Sequence, residues 1–396
     1  MGYKNPVWHN GMAPSINDDR LNDLCYTVER LDFADGRVVV GQKEGETLGT
    51  NVTSEGTNTI ASGANSHAEG GGTKSIGANS HAEGGFSQAN EAYSHAEGNN
   101  TKANGQSSHA EGNSSTANGA SAHAEGGATV ASGASSHAEG SGTNATGDYS
   151  HTENYNTTAS GDYSHAEGWN TTASGSDSHA EGYNTVASKG GSHAEGNGTT
   201  SSGAAAHAEG FYTTASGARS HSEGSNTTAE GPSSHAEGSS TQAIGESSHA
   251  EGYGTIASGN YQHVFGQHNI SNANDVEIVG WGTFATPQNI RTLDQSGNMT
   301  IAGTLTQSSD AKLKTVEGEI PDVSEIHAVR FRWNDVNGQH DDLEHVGYIA
   351  QDVEKVAPFM VKKDSNGYKA LDYIAFLCAK MELLECRVKE LEEKKG

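Results

Sequence analysis

Apolar residues are thinly spread between residues ~50 and 280, and nowhere there do they recur at the three-to-four spacing of an amphipathic helix. A different period governs this stretch. Histidine stands at 67, 81, 95, 109, 123, 137, 151, 165, 179, 193, 207, 221, 235, 249 and 263, always at the same step. Glutamate follows two places later in 14 of the 15, with Phe265 in the last. Thr or Ser stands eight places before each histidine and Ala or Ser six places before. Gly stands four places before in 13 of the 15, the exceptions being Glu91 and Lys189. A short fixed period sustained over about 200 residues predicts a solenoid of stacked coils.

Two glycines in most repeats weaken a helix and suit two short strands joined by tight turns. Stacking each coil on the next supplies the partners its backbone needs. At ~4.8 Å per strand, 15 coils make a rod of roughly 70 Å. Alternation along the strand puts His and Glu on one face and Ser and Ala on the other. Two arrangements satisfy this pattern. The His–Glu row forms a polar ladder inside the coil or between chains, or the small Ser/Ala face is the packed one.

The two ends follow other rules. Leu21, Leu24, Val28 and Leu31 read as a and d positions of two heptads, with Asn17 as the cap and Asp18 and Asp19 at the positive end of the helix. Val276–Val279 is an apolar strand before Gly280, and residues 291–306 alternate around Ser296-Gly297-Asn298 as a β-hairpin. Beyond 309 the composition turns charged and mixed α/β. Ile374, Met381 and Val388 then take a positions, and Leu377, Leu384 and Leu391 take d positions.

Composition sharpens the picture. Acidic residues number 50 against 23 basic, a formal charge of −27, which argues against nucleic acid or an anionic membrane surface as partner. Hydrophobic residues make up only 32%, so a single thick core is excluded, and trimerisation is the economical way to bury a further face of each coil. No apolar run is long enough for membrane insertion, and the first residues lack the apolar stretch of a signal peptide. Cys25, Cys378 and Cys386 are too few for a disulfide framework and read as free thiols of a reducing cytosol.

The repeat word Asn65-Ser66-His67-Ala68-Glu69-Gly70 resembles the left-handed parallel β-roll repeat of trimeric autotransporter adhesin heads, with His and Glu where that family has Val and Ile. The Trp8–Asn17 stretch, with Pro14-Ser15-Ile16-Asn17, resembles the attachment end of tail-fibre proteins of Gram-positive phages and prophages. The strongest resemblance is C-terminal. Ser309-Asp310-Ala311-Lys312-Leu313-Lys314, then Val346-Gly347-Tyr348-Ile349-Ala350-Gln351-Asp352-Val353, then a coiled coil, resemble the endosialidase-type intramolecular chaperone that ends phage tail spikes and fibres. Lys312 stands where arginine is commoner in that family. The expected fold is therefore mainly β: a trimeric left-handed β-roll solenoid, a β-hairpin connector and a small α/β chaperone domain ending in a coiled coil. The expected domains are an attachment segment at 1–35, the roll at 36–280, the connector at 281–308 and the chaperone at 309–396.

The resemblance implies a self-cleaving chaperone, with Ser309 as nucleophile, Lys314 as general base and the cut at Ser308–Ser309; a cut at Ser309–Asp310 is the alternative. A serine hydroxyl needs a base, and lysine can serve when burial lowers its pKa. Five residues are about 140° round a helix, so the pair needs a turn or a contact across chains. No turnover on an external substrate is expected, and no cofactor. The recurrent His–Glu pair could ligate metal, but fifteen equal sites read as structural, so no metal is expected. Tyr149 and Tyr163 share one lattice position, and Tyr155, Trp169 and Tyr183 share another. Both sets predict aromatic ladders able to stack on sugar rings.

The expected function is a structural and host-recognition component of a phage or prophage tail fibre, assembled in the host cytoplasm. Its expected partners are two further copies of itself, a tail or baseplate protein at the N-terminus, and a glycan or protein receptor on the bacterial surface. A polysaccharide-degrading tailspike is the rival enzyme reading, needing two carboxylates at a fixed separation. A cell-surface adhesin is the third.

Overall fold

The computed structural model describes residues 31–32, 37–43, 45–304, 315, 318–333, 344–363 and 367–395. It divides into two compact units, 1–303 and 304–396. The expected N-terminal helix lies outside the described residues except at its last position. Leu31 belongs instead to a short strand, Leu31–Asp32, paired antiparallel with Arg37 and Val38.

The first unit is mainly a β-solenoid of about 17 turns, running from Arg37–Gln42 to Asp275–Trp281. Its strands pair in parallel, and the register is the sequence period itself: His109 lies against His95 and His123, Ala110 against Ala96 and Ala124, Glu111 against Glu97 and Glu125. Each coil has a strand that starts at the histidine, such as His109–Asn113, and a second two-residue strand, such as Thr116–Ala117.

The inside of the coil is built from small residues. Ala110, Ala117 and Ala124 are fully buried, and the residue before each histidine, a serine in all but three coils, and the Thr or Ser eight places before it are buried too, for example Ser108 and Thr101. The small Ser/Ala face is therefore the packed one. The His–Glu row points outward. The physical reason is width: two strands and two turns in so short a repeat leave an interior that methyl and hydroxymethyl groups fill. Larger apolar residues appear where the column ends, at Val52 and Ile60 on one side and Val264 and Ile278 on the other.

The corners are made by side-chain chemistry and by left-handed backbone. In most coils a serine precedes the histidine and donates its hydroxyl to the carbonyl three residues earlier, as Ser108 does to Gly105 at 2.7 Å. Three positions per coil have positive φ, such as Ser107, Gly112 and Ser114. Asn fills several of them and forms ladders such as Asn156 to Asn170 to Asn184, at 2.7 and 2.6 Å. The glycine after the glutamate is required twice over. Gly112 has φ 98°, and a β-carbon there would stand 2.2 Å from the carbonyl oxygen of Gly126 in the next coil.

The solenoid ends by changing strand direction. Asn289–Asp294 pairs antiparallel with Asp275–Trp281, and Met299–Ile301 pairs antiparallel with Asn289–Asp294. This is the hairpin expected around Ser296-Gly297-Asn298, with Asp294 accepting from the backbone of Ser296 and Asn298. Arg291 forms an ion pair with Glu277 on the last parallel strand. A stack that would otherwise present open edge groups is thereby closed off.

The second unit has a small core of Val323, Val353, Ala357, Met360, Phe376 and Ala379. Around it stand the hairpin Val329–Phe331 with His345–Gly347, the hairpin Val361–Lys363 with Lys369–Leu371, and the helices Ala350–Val356 and Tyr373–Glu393. Asp372 caps the long helix by accepting from the Ala375 backbone at 3.0 Å. No helix among the described residues is long and apolar enough to cross a membrane.

The glycine column makes a direct test. Gly112→Ala meets both the left-handed backbone and the neighbouring carbonyl, and should destabilise the solenoid by about 1–3 kcal/mol. Gly71→Ala is the control, because nothing lies within 4 Å of its added carbon. Thermal melting of the two variants should show a lowered midpoint for the first alone.

Candidate functional site

The outward face of the solenoid carries one continuous feature. Successive imidazoles stack at centroid distances such as 4.7 Å for His109–His123 and 4.8 Å for His123–His137, with planes 2° apart in both pairs. The parallel register forces this, because every side chain must lie over its own copy. Each ladder histidine is partly shielded, and its Nε2 faces carboxylates. In His123 it stands 3.7 Å from Glu111 and 3.8 Å from Glu125; in His193, 3.5 Å from Glu181 and 3.9 Å from Glu195. True hydrogen bonds form at His235 to Glu223, 3.2 Å, and at His249 to Glu237, 3.1 Å. Thirteen ladder histidines have an Nε2 that is closed to solvent and makes no hydrogen bond.

Stacking like charges shifts titration. Burial, and then the imidazoles in adjacent coils, hold His81, His109, His137, His165, His193 and His207 below the ordinary imidazole value. Some glutamates share protons with their neighbours in the column. Glu111 is pushed up to about 7 because it shares a proton with Glu125 and Glu97, which are lowered in return. Glu153, next to Glu167, is likewise pushed up to about 7. Neighbouring carboxylates this close do not all ionise together, so Glu111 and Glu153 each hold a proton more tightly than the carboxylates lowered beside them. The same sharing at two separate places does not single out the one acid–base pair that a glycosidase needs.

Several His–Glu–His groups have ligand atoms within 4.8 Å of one another, among them His95–Glu97–His109, His123–Glu125–His137 and His179–Glu181–His193. These residues could hold a metal ion.

The aromatic positions stand at the two ends of the histidine strand. Tyr149 and Tyr163 stack at 5.0 Å with planes 4° apart. Tyr155, Trp169 and Tyr183 form a tilted column with spacings of 4.8 and 6.2 Å. All five are exposed, Trp169 by 54%. Beside the second column runs an open groove of about 700 Å³, lined by Glu167, Glu181, Glu195 and Glu209 and by the glycines that follow them. Phe211 and Tyr253 continue the column in later coils, both exposed, and the sequence reading missed them. Following that lattice position through every coil finds them. Tyr149 and Tyr163 also hold left-handed backbone, φ 58° each, an uncommon conformation for a bulky residue.

Ser308, Ser309, Asp310 and Lys314 lie outside the described residues. The six a and d residues of the long helix lie within them, and all six are exposed, Leu384 by 64%. Cys378 and Cys386 are free thiols on the same helix.

The ladder sets opposing pH dependences. Histidines held below their unfolded value give stability that is complete above pH ~6.5 and lost as pH falls through that value. Glu111 and Glu153, raised from about 4.5 to about 7, give stability that is lost as pH rises through about 7. Both dependences fall below pH ~7 and oppose each other there, so with a chelator present the double variant Glu111→Gln, Glu153→Gln should expose the histidine limb, its melting midpoint falling as pH drops below ~6.5. A midpoint of the double variant constant from pH 8 to pH 5 would mean the histidines are simply solvated.

Comparison with known proteins bears on the C-terminal unit. Residues 309–362 match the family described as the chaperone of endosialidase, a segment of less than a seventh of the chain. No curated protein matches the chain. A long β-solenoid followed by this segment fits a phage tail fibre or tailspike-type protein with a C-terminal intramolecular chaperone domain.

Proposed function

We propose that the protein is the trimeric, host-recognising part of a phage or prophage tail fibre, assembled by a C-terminal chaperone that then cuts itself off. The observation that carries this reading is the helix Tyr373–Glu393. Ile374, Met381 and Val388 at a, and Leu377, Leu384 and Leu391 at d, form an unbroken exposed apolar seam along this 21-residue helix, which follows the chaperone match. Such a seam is stable in water when identical helices cover it. Three chains joined there start in register, which eases the slow assembly of a parallel β structure.

Recognition falls to the aromatic columns. Tyr155, Trp169 and Tyr183 stand one residue beyond the groove-lining backbone of Asn154, Gly168 and Gly182, and the groove's carboxylates can accept from sugar hydroxyls. Rings stack on the apolar faces of sugars.

Self-cleavage follows from the chain order at the junction, where the family match begins at Ser309. Lys314 takes the hydroxyl proton of Ser309, and Oγ attacks the carbonyl carbon of Ser308. The C–N bond breaks, the proton passes to the freed amine of Ser309, and an ester joins Ser308 to Oγ. One water then hydrolyses the ester, leaving a carboxylate on Ser308 and the restored hydroxyl on Ser309.

Two measurements test the reading. Native mass measurement should give three chains, and Leu377→Lys with Leu384→Lys should give monomer before cleavage. On a denaturing gel the wild type should yield a 308-residue product, and Ser309→Ala or Lys314→Ala should leave the full chain. A monomeric wild type overturns the assembly, and continued cutting at the same bond in Ser309→Ala overturns the dyad.

A further inference from the structure

Thirteen shielded imidazole nitrogens without a hydrogen bond need a physical explanation, because a buried polar atom left unpaired destabilises a fold. Two species can satisfy such a nitrogen beside a carboxylate, a proton and a metal ion.

The distances separate the two. An N–H to carboxylate bond spans about 2.7–3.2 Å. The Nε2 of His123 is 3.7 Å from Glu111 and 3.8 Å from Glu125, that of His137 is 3.9 Å from Glu139, and that of His193 is 3.5 Å from Glu181. Two donors bound ~2.0–2.1 Å from one tetrahedral ion stand ~3.4 Å apart. The His–Glu spacings thus stand closer to those of ligands round an ion than to a hydrogen bond, whereas the parallel rings, 4.7–4.9 Å apart, must tilt toward each other before two Nε2 atoms reach one ion. In His123–Glu125–His137 the three ligand atoms lie within 4.8 Å of one another, and the grouping recurs at His95–Glu97–His109 and His179–Glu181–His193.

We propose that the histidine–glutamate ladder is a linear binding site for divalent transition-metal cations of the zinc class. Each ion is held by the Nε2 atoms of two stacked histidines and by a carboxylate between them, with water in the fourth position. Imidazole and carboxylate together suit zinc, nickel or copper and disfavour magnesium and calcium, which take oxygen ligands. The −27 formal charge draws cations to the rod, and a dication between stacked carboxylates removes their repulsion. One Nε2 serves one ion, so ions occupy alternate gaps, about seven for fifteen histidines. Binding turns the two rings of each pair toward their ion, converting an even stack into a paired one.

The test uses the full chain stripped with chelator. Equilibrium dialysis against Zn²⁺ alone should load about seven ions per chain, and the melting midpoint should rise with Zn²⁺ and return with chelator. Mg²⁺ at the same concentration should do neither. Co²⁺ should give the intense visible bands of a tetrahedral site on the unmutated protein. The triple variant His123→Gln, His137→Gln, His151→Gln should bind one to two ions fewer. Fewer than one Zn²⁺ per chain would show a proton-sharing ladder only and overturn the proposal. Equal stabilisation by Mg²⁺, an octahedral Co²⁺ spectrum, or unchanged stoichiometry in the folded triple variant would overturn it equally, by assigning the binding to surface carboxylates.

Discussion

Everything in the solenoid follows from one constraint: hydrogen bonding between successive coils places each residue on its own copy one repeat away. Backbone satisfaction then dictates side-chain fate. Alanine stacked on alanine closes a dry column, and asparagine stacked on asparagine closes an amide ladder. A charge stacked on its own copy has no such easy solution. Glu111 and Glu153 are pushed up to about 7 for this reason, and the histidines beside them are driven toward the neutral form. The face that the chain repeats most faithfully is also the face that its geometry strains most.

The same constraint explains why so little apolar mass suffices. Fully buried alanines contribute little area each, but the interior they fill is narrow, and the backbone bonds between coils run the length of the rod. Larger residues are needed only where stacking stops. Val52, Ile60, Val264 and Ile278 stand there, and the antiparallel strand Asn289–Asp294 finishes the edge.

The period, the two-strand coil and the hairpin near Ser296-Gly297-Asn298 were legible in the sequence because each rests on local chemistry repeated in register. The direction of the histidine face was not. Alternation separates His and Glu from Ser and Ala, but it does not say which set the coil interior has room for; interior width is set by the corners, at Ser108 to Gly105 and at Gly112. The aromatic column was read in part, through Tyr155, Trp169 and Tyr183. Phe211 and Tyr253 escaped because coils with small residues separate them from the rest. The proton sharing among glutamates was out of reach, since it depends on the distance between copies and on which face meets water.

Interchangeable coils carry little positional information. A strand such as His109–Asn113 would pair nearly as well with a strand two coils away, looping out the whole coil between, and nothing in the coil itself records the error. The chain marks its place where it departs from its own rule, as at Glu91 and Lys189, at Thr152 and Asn154, at Ser222, and at the large residues of the two ends. These irregularities act as an address system, and the most ordinary coils are the ones most free to be duplicated or lost.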